Sequence, residues 1–158
     1  MISLIGAQTK SGVIGKNNTL PGNIHEEMKH FVNYTKGKKI LMGRKTGDSL
    51  SKKPLPNREN FVASTNANFN LNEFENTFVV NNLNEFLLNY TDSDEELVVI
   101  GGASLYNTAI SFAKKLVISI IKEDYDGDTK ISPINFEEFN LMSEQDFKEF
   151  SIKVYERK

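Results

Sequence analysis

The chain reads as an α/β fold: a mixed, mostly parallel sheet flanked by helices on both faces, with an antiparallel C-terminal edge. Three observations carry that reading. Short apolar runs alternate with segments of helical periodicity, the order expected of parallel strands joined by crossover helices. Two of the runs, Lys38–Met42 and Leu97–Ile100, end at glycine and pass straight into a helical pattern. The last strand candidates, Leu116–Ile121 and the alternating Phe150, Ile152 and Val154, have no clear helix between them, which predicts an antiparallel pair.

In chain order, Ile2–Gln8 is an apolar run suited to a buried strand, and Thr9–Asn23 is a long, polar, glycine-containing connection of the kind that often serves as a lid or binding loop. A helix starts at Ile24. The strand Lys38–Met42 ends at Gly43, and Arg44–Leu50 follows as a short helix. Pro54 and Pro56 punctuate a loop, Asn60–Ser64 is a strand, and Thr77–Val80 a shorter one. Leu83, Phe86, Leu87 and Tyr90 stand at i, i+3, i+4 and i+7, the stripe of an amphipathic helix. The acidic run Asp92–Glu96 turns the chain into Leu97–Ile100. Gly101-Gly102 break that strand, and Leu105, Tyr106, Ala109 and Ile110 carry the next helical stripe. No repeat or linker divides the chain, so one domain over 1–158 is expected.

The helix after Asn23 holds the first candidate for chemistry. Asn23 serves as an N-cap and Glu26, three residues on, completes a capping box. On a wheel of about 100° per residue, Met28, Phe31 and Val32 fall within roughly 80° of Ile24 and define the buried stripe. Glu26 lies opposite it, and Glu27 at its edge beside Phe31. Two readings of Glu27 stand at this point: an edge residue whose carboxylate reaches water, or a desolvated carboxylate whose pKa is raised toward acid/base use.

Composition narrows the classes. At 158 residues the chain can bury a core without metal or disulfide support. With no Cys there is no thiol nucleophile, disulfide or Cys-based metal site. The two His, His25 and His30, are five apart, which is not the i, i+4 spacing of a shared metal, and both read as surface residues. A net charge of −2 with interspersed signs offers no field for nucleic acid or anionic membrane. No run approaches the ~20 apolar residues of a membrane span, and no basic leader precedes a long apolar run. A cytoplasmic monomer is expected, without metal.

Ligands of α/β sheets gather at the carboxyl ends of strands. Gly43-Arg44-Lys45-Thr46 joins a glycine, two cations and a hydroxyl at one such place, and Ile100-Gly101-Gly102-Ala103-Ser104 puts paired glycines at another. Each is either an ordinary tight turn or a phosphate approach; the two together suit a dinucleotide. Asp124-Tyr125-Asp126-Gly127-Asp128-Thr129 has Thr129 where a calcium loop needs glycine, and reads as a turn.

Taken together, Ile2-Ser3-Leu4-Ile5-Gly6-Ala7, Val13-Ile14-Gly15, Leu20-Pro21, Glu27 with Phe31, Met42-Gly43-Arg44-Lys45-Thr46, Pro54-Leu55-Pro56-Asn57-Arg58, Val99-Ile100-Gly101-Gly102-Ala103-Ser104-Leu105-Tyr106 and Gly127-Asp128-Thr129 resemble the dihydrofolate reductase family over essentially the whole chain. The resemblance implies an eight-stranded mixed sheet and NADPH-dependent reduction of 7,8-dihydrofolate to 5,6,7,8-tetrahydrofolate. It makes Glu27 the single acid that holds the pterin's amino group and ring N–H and promotes protonation of N5. Ile5, Ala7, Met28, Phe31, Leu55, Ile100 and Tyr106 would complete the substrate pocket, with Ser119 bonding the acid and Arg58 holding the α-carboxylate of the glutamate tail. For the cofactor it implies Ala7, Ile14, Gly15, Asn18, Leu20, Gly43, Arg44, Lys45, Thr46, Ser64, Thr65, Gly101, Gly102, Ala103, Ser104, Leu105, Tyr106 and Thr129. Arg44 with Ser64 or Thr65 would favour the 2′-phosphate, Gly101-Gly102 would be joined by a cis peptide, and Val13–Asn23 would close over the nicotinamide.

The chain departs from the family at Gly22, where Trp is usual, at Gly47, where an aromatic residue is common, and at Ser104, where some relatives carry Arg. It has no Trp. Glycine at position 22 removes an indole donor and loosens the loop. Two other readings are a pyrimidine reductase of riboflavin synthesis, against which Glu27 and Arg58 count, and a folate- or nucleotide-binding module without turnover.

Overall fold

The computed structural model describes the chain except for residues 11, 16–24, 50–54, 67, 72–73, 123–128 and 131–133. Its strands are β1 (Ile2–Thr9), β2 (Val13–Gly15), β3 (Lys39–Gly43), β4 (Glu59–Ala63), β5 (Thr77–Val80), β6 (Leu97–Gly101), β7 (Lys115–Ile121), β8 (Thr129–Lys130), β9 (Phe139–Asp146) and β10 (Phe150–Arg157). The α-helices are α1 (His25–Thr35), α2 (Arg44–Ser49), α3 (Leu83–Tyr90) and α4 (Ala103–Ala109). Among the described residues eight strands form one sheet in the order β5-β4-β3-β6-β1-β7-β10-β9, and β2 and β8 form a small antiparallel ribbon. Strands β5 to β7 run parallel. Strand β10 is antiparallel to both β7 and β9. The expected mixed sheet with an antiparallel C-terminal edge is therefore present.

Period-two alternation in the central strands feeds both faces. Ile2 and Leu4 of β1 join Leu41, Leu97, Val99, Leu105 and Leu116 on one side. Ile5 joins Ile40, Met42, Val98, Val117, Phe150 and Ile152 on the other. Both faces of β1 and β6 are dry, so these strands read as continuous apolar runs. Helix α3 is set by its ends: Asn82 Oδ1 accepts from the Glu85 backbone N–H at 3.2 Å and its amide donates to the Glu85 carboxylate at 3.0 Å. Leu87 is its fully buried anchor.

Several expectations change. Strand β10 does pair with β7, but the sheet edge is β9, which the sequence reading did not find. Every residue of β9 after Phe139 is exposed, so it lacks the half-buried alternation that marks a strand. The β2–β8 ribbon was hidden inside the segments read as loop and turn, its strands being only three and two residues long. The described part of the first helix begins at His25; Asn23 and Ile24, and with them the capping box, lie outside the described residues.

Helix α1 is also rotated from the wheel reading. Met28 and Val32, assigned to the buried stripe, are 46% and 42% exposed, while Glu27 is 8% exposed. Thr35 is buried and Phe31 and Tyr34 are half-buried. The face against the sheet is centred on Glu27, Phe31 and Tyr34. Two polar ties set that rotation: Tyr34 Oη donates to Glu96 at 2.6 Å, and Thr35 Oγ1 accepts from Arg58 Nε at 3.0 Å.

Candidate active site

The carboxyl ends of β3, β6 and β1 carry the candidate site, with α2 and α4 leaving directly from β3 and β6. Helix α1 brings Glu27 to it. Burial raises the Glu27 pKa above the ordinary carboxylate range, and the nearby Ser119 hydroxyl pulls in the opposite direction with less effect. Ser119 sits on β7, 1% exposed, and its Oγ makes no hydrogen bond of normal geometry within the protein. It stands close enough to the acid to favour the charged form while remaining available to a third group. Burial also pushes the Tyr106 phenol far up, and the Glu27 charge adds to that shift. Tyr106 Oη donates to the Ile5 carbonyl at 2.6 Å. An acid, a hydroxyl and a phenol thus meet where Ile5 and Ala7, both buried, floor the site.

Arg58, at the start of β4, is buried and already engaged. Its Nε donates to Thr35 Oγ1 at 3.0 Å, Nη1 to the Pro56 carbonyl at 2.6 Å and Nη2 to the Val32 carbonyl at 3.4 Å. The guanidinium joins the end of α1 to the loop before β4. Asn60, unmarked in the sequence reading, holds that loop: Oδ1 accepts from Leu55 N, and Nδ2 donates to the carbonyls of Leu55 and Arg58, at 3.1, 3.0 and 3.1 Å. Leu55 packs half-buried against the cluster of Ile5 and Met42. The one clue in sequence was an amide two residues beyond a Pro-Asn-Arg turn.

Gly43, Gly101, Gly102 and Thr46 converge at the other end. A Cβ on Gly43 would lie 3.7 Å from the Gly101 carbonyl oxygen, and one on Gly102 would lie 3.4 Å from Thr46 Oγ1. Gly101 has φ +132°, a value that favours glycine, and the Gly101-Gly102 peptide is cis, as expected. The three glycines and the Thr46 hydroxyl form a cradle of bare backbone and one side-chain oxygen that fits a cofactor approaching the backbone. Arg44 and Lys45 are exposed beside it, as are Ser104 and Thr65. Ser64 is half-buried in the turn after β4, and its Oγ accepts from Asn66 N at 3.2 Å.

Other expected residues fall differently. Leu105 is 5% exposed within the core cluster of Ile2 and Leu4, so its side chain serves packing. Met28 is exposed on α1, Phe31 and Ile100 pack half-buried against the cluster of Ile5 and Met42, and Ala103 opens α4. Ile14 and Gly15 lie on β2, where Gly15 is paired with Thr129 of β8. Asn18, Leu20 and Gly22, most of the expected closing loop, and the Asp124–Asp128 turn lie outside the described residues, as does the His25 side chain. His30, read as a surface residue, is half-buried with its Nε2 enclosed and unpartnered, and burial lowers its pKa. Among the described residues no three His, Asp or Glu cluster as a metal site would require.

One desolvated acid facing a glycine cradle at the strand ends has the make-up of an enzyme site for a small molecule beside a nucleotide-like ligand. The match to the dihydrofolate reductase family model runs over residues 1–157, and the chain belongs to that family. It is 37% identical to a dihydrofolate reductase of Ureaplasma parvum serovar 3, over 100% of this chain and 98% of that protein. With a dihydrofolate reductase of Mycoplasma genitalium the identity is 34%, covering 100% and 99%. Among solved structures, dihydrofolate reductase from Enterococcus faecalis, complexed with NADP(H) and RAB-propyl, superposes with TM-score 0.87 at 26% identity, covering 99% of this chain and 96% of that one.

Proposed function

We propose that Glu27 is the acid through which this protein, an NADPH-dependent reductase of 7,8-dihydrofolate, supplies a proton to its substrate. The observation that carries this reading is the burial of the Glu27 carboxyl opposite Ser119, with its pKa raised by desolvation. A carboxyl so placed accepts from two adjacent donors, the amino group and ring N–H of a pterin, and promotes protonation of N5 near neutral pH. When bound, NADPH supplies the hydride that C6 of the pterin receives, giving tetrahydrofolate and NADP⁺. Ser119 Oγ bonds the acid and the pterin, Ile5, Phe31 and Ile100 exclude water, and Arg58 receives the glutamate tail. The cradle of Gly43, Gly101, Gly102 and Thr46 holds the cofactor, with Arg44 at its phosphate.

We read residues 1–158 as one domain that acts as a cytoplasmic monomer with small-molecule partners, supported by its interspersed charges and low net charge. No helix among the described residues is long and apolar enough to cross a membrane.

The test is the loss of NADPH absorbance on mixing purified protein with NADPH and dihydrofolate, beside Glu27→Gln and an NADH control. Turnover that requires dihydrofolate and collapses in Glu27→Gln near neutral pH is the expected result. Well-folded wild-type protein without turnover would leave only a binding module.

A further inference from the structure

The Arg44 guanidinium lies over the Phe69 ring, 4.3 Å from its centroid. Arg44 is exposed and opens α2 directly after β3. Phe69 comes from the connection after β4 and packs, half-buried, against the cluster of Ile40, Met42 and Val62. That connection is braced internally: Asn66 Oδ1 accepts from Asn68 N at 2.9 Å and the Asn66 carbonyl from Phe69 N at 3.1 Å. Asn81 Nδ2 ties it to the sheet through the Ser64 carbonyl at 2.7 Å. The ring is thus a platform anchored to the core. An exposed arginine otherwise samples many rotamers. Resting its flat face on a fixed ring removes much of that freedom and leaves its edge, where the N–H groups lie, for an anion.

We propose that Phe69 is a positioning residue for cofactor selectivity: by stacking on Arg44 it pre-orients the guanidinium for the phosphate monoester on the adenosine ribose of NADPH, which NADH lacks. The inference rests on the reading of Arg44 as the phosphate contact. Ser64 lies in the same braced turn, so one short segment supplies both a hydroxyl and the platform.

The experiment is isothermal titration of NADPH and of NADH into wild type, Phe69→Leu, Phe69→Tyr, Arg44→Ala and the Arg44→Ala/Phe69→Leu double variant. Leucine keeps apolar bulk and removes the π face. Phe69→Leu is expected to weaken NADPH about two- to fivefold, with NADH unchanged and Phe69→Tyr close to wild type. Arg44→Ala is expected to weaken NADPH about tenfold, after which Phe69→Leu has no further effect. Equal loss of both cofactors in Phe69→Leu, or no loss of NADPH while Arg44→Ala still narrows the NADPH-to-NADH gap, would overturn the role of Phe69 and leave the phosphate reading intact. An unchanged gap in Arg44→Ala would overturn the phosphate reading and this inference with it.

Discussion

The Tyr106 hydroxyl occupies the space that a side chain on Gly6 would need. A Cβ built on Gly6 falls 2.9 Å from Tyr106 Oη and 3.3 Å from Cζ. The same hydroxyl donates to the carbonyl of Ile5 at 2.6 Å. Gly6 is not among the glycines with positive φ, so neighbouring atoms rather than backbone conformation require it.

Gly6→Ala is therefore expected to displace the phenol and break its bond to Ile5, destabilising the protein by about 1–3 kcal/mol. In a Tyr106→Phe background the same substitution meets a ring free to shift. The coupling should reach about 1 kcal/mol in a double-mutant cycle followed by urea unfolding.

Glu27→Gln separates activity from stability. The turnover number near neutral pH is expected to fall about 10²-fold or more. The folded-state pKa is raised, so the stability carried by the neutral carboxyl is complete below the ordinary carboxylate range and is lost as pH rises through the folded-state value. Urea unfolding should find Glu27→Gln gaining on wild type between pH 4 and pH 8.

Glu96 behaves oppositely at the amino end of β6. Burial alone would raise its pKa, but bonds from Ser3 Oγ and Tyr34 Oη, both 2.6 Å, and the Lys38 ammonium at 3.2 Å outweigh it, and the net shift is downward. Its stabilisation is present above the unfolded carboxylate value and is lost as pH falls through the lower folded one. Glu96→Gln should cost about 2–3 kcal/mol at pH 7, with the gap closing in acid-denaturation curves.

Asn60→Leu tests the loop that carries Leu55 and Arg58. It leaves three backbone groups without their partner and is expected to cost about 2–4 kcal/mol. In steady-state assays KM for dihydrofolate should rise more than kcat falls, because the affected loop carries Arg58, the residue proposed to receive the substrate tail.

The central strands and the two glycine turns were legible from local pattern, which left Glu27 open between an edge carboxylate and a desolvated one. β1, β6 and β7 read as near-continuous apolar runs because both of their faces must be apolar, and backbone approach at Gly43 and Gly101-Gly102 requires glycine itself. Strand β9 was not legible, since an exposed edge places no demand on its side chains. Asn60 was equally hidden, because an amide's partners depend on how a turn folds back.

What the sequence determined by itself was the succession of the central strands and helices, the mixed sheet and the residue types gathered at its carboxyl ends, all consequences of short-range periodicity and glycine chemistry. Tertiary structure alone decided the rotation of α1. An amphipathic wheel weighs only apolar side chains and put Met28 and Val32 inside with Glu27 at the margin. The bonds from Tyr34 to Glu96 and from Arg58 to Thr35 join residues 62 and 23 positions apart. They turn Glu27 into the buried face because an unpaired polar group there would cost more than leaving Met28 and Val32 exposed.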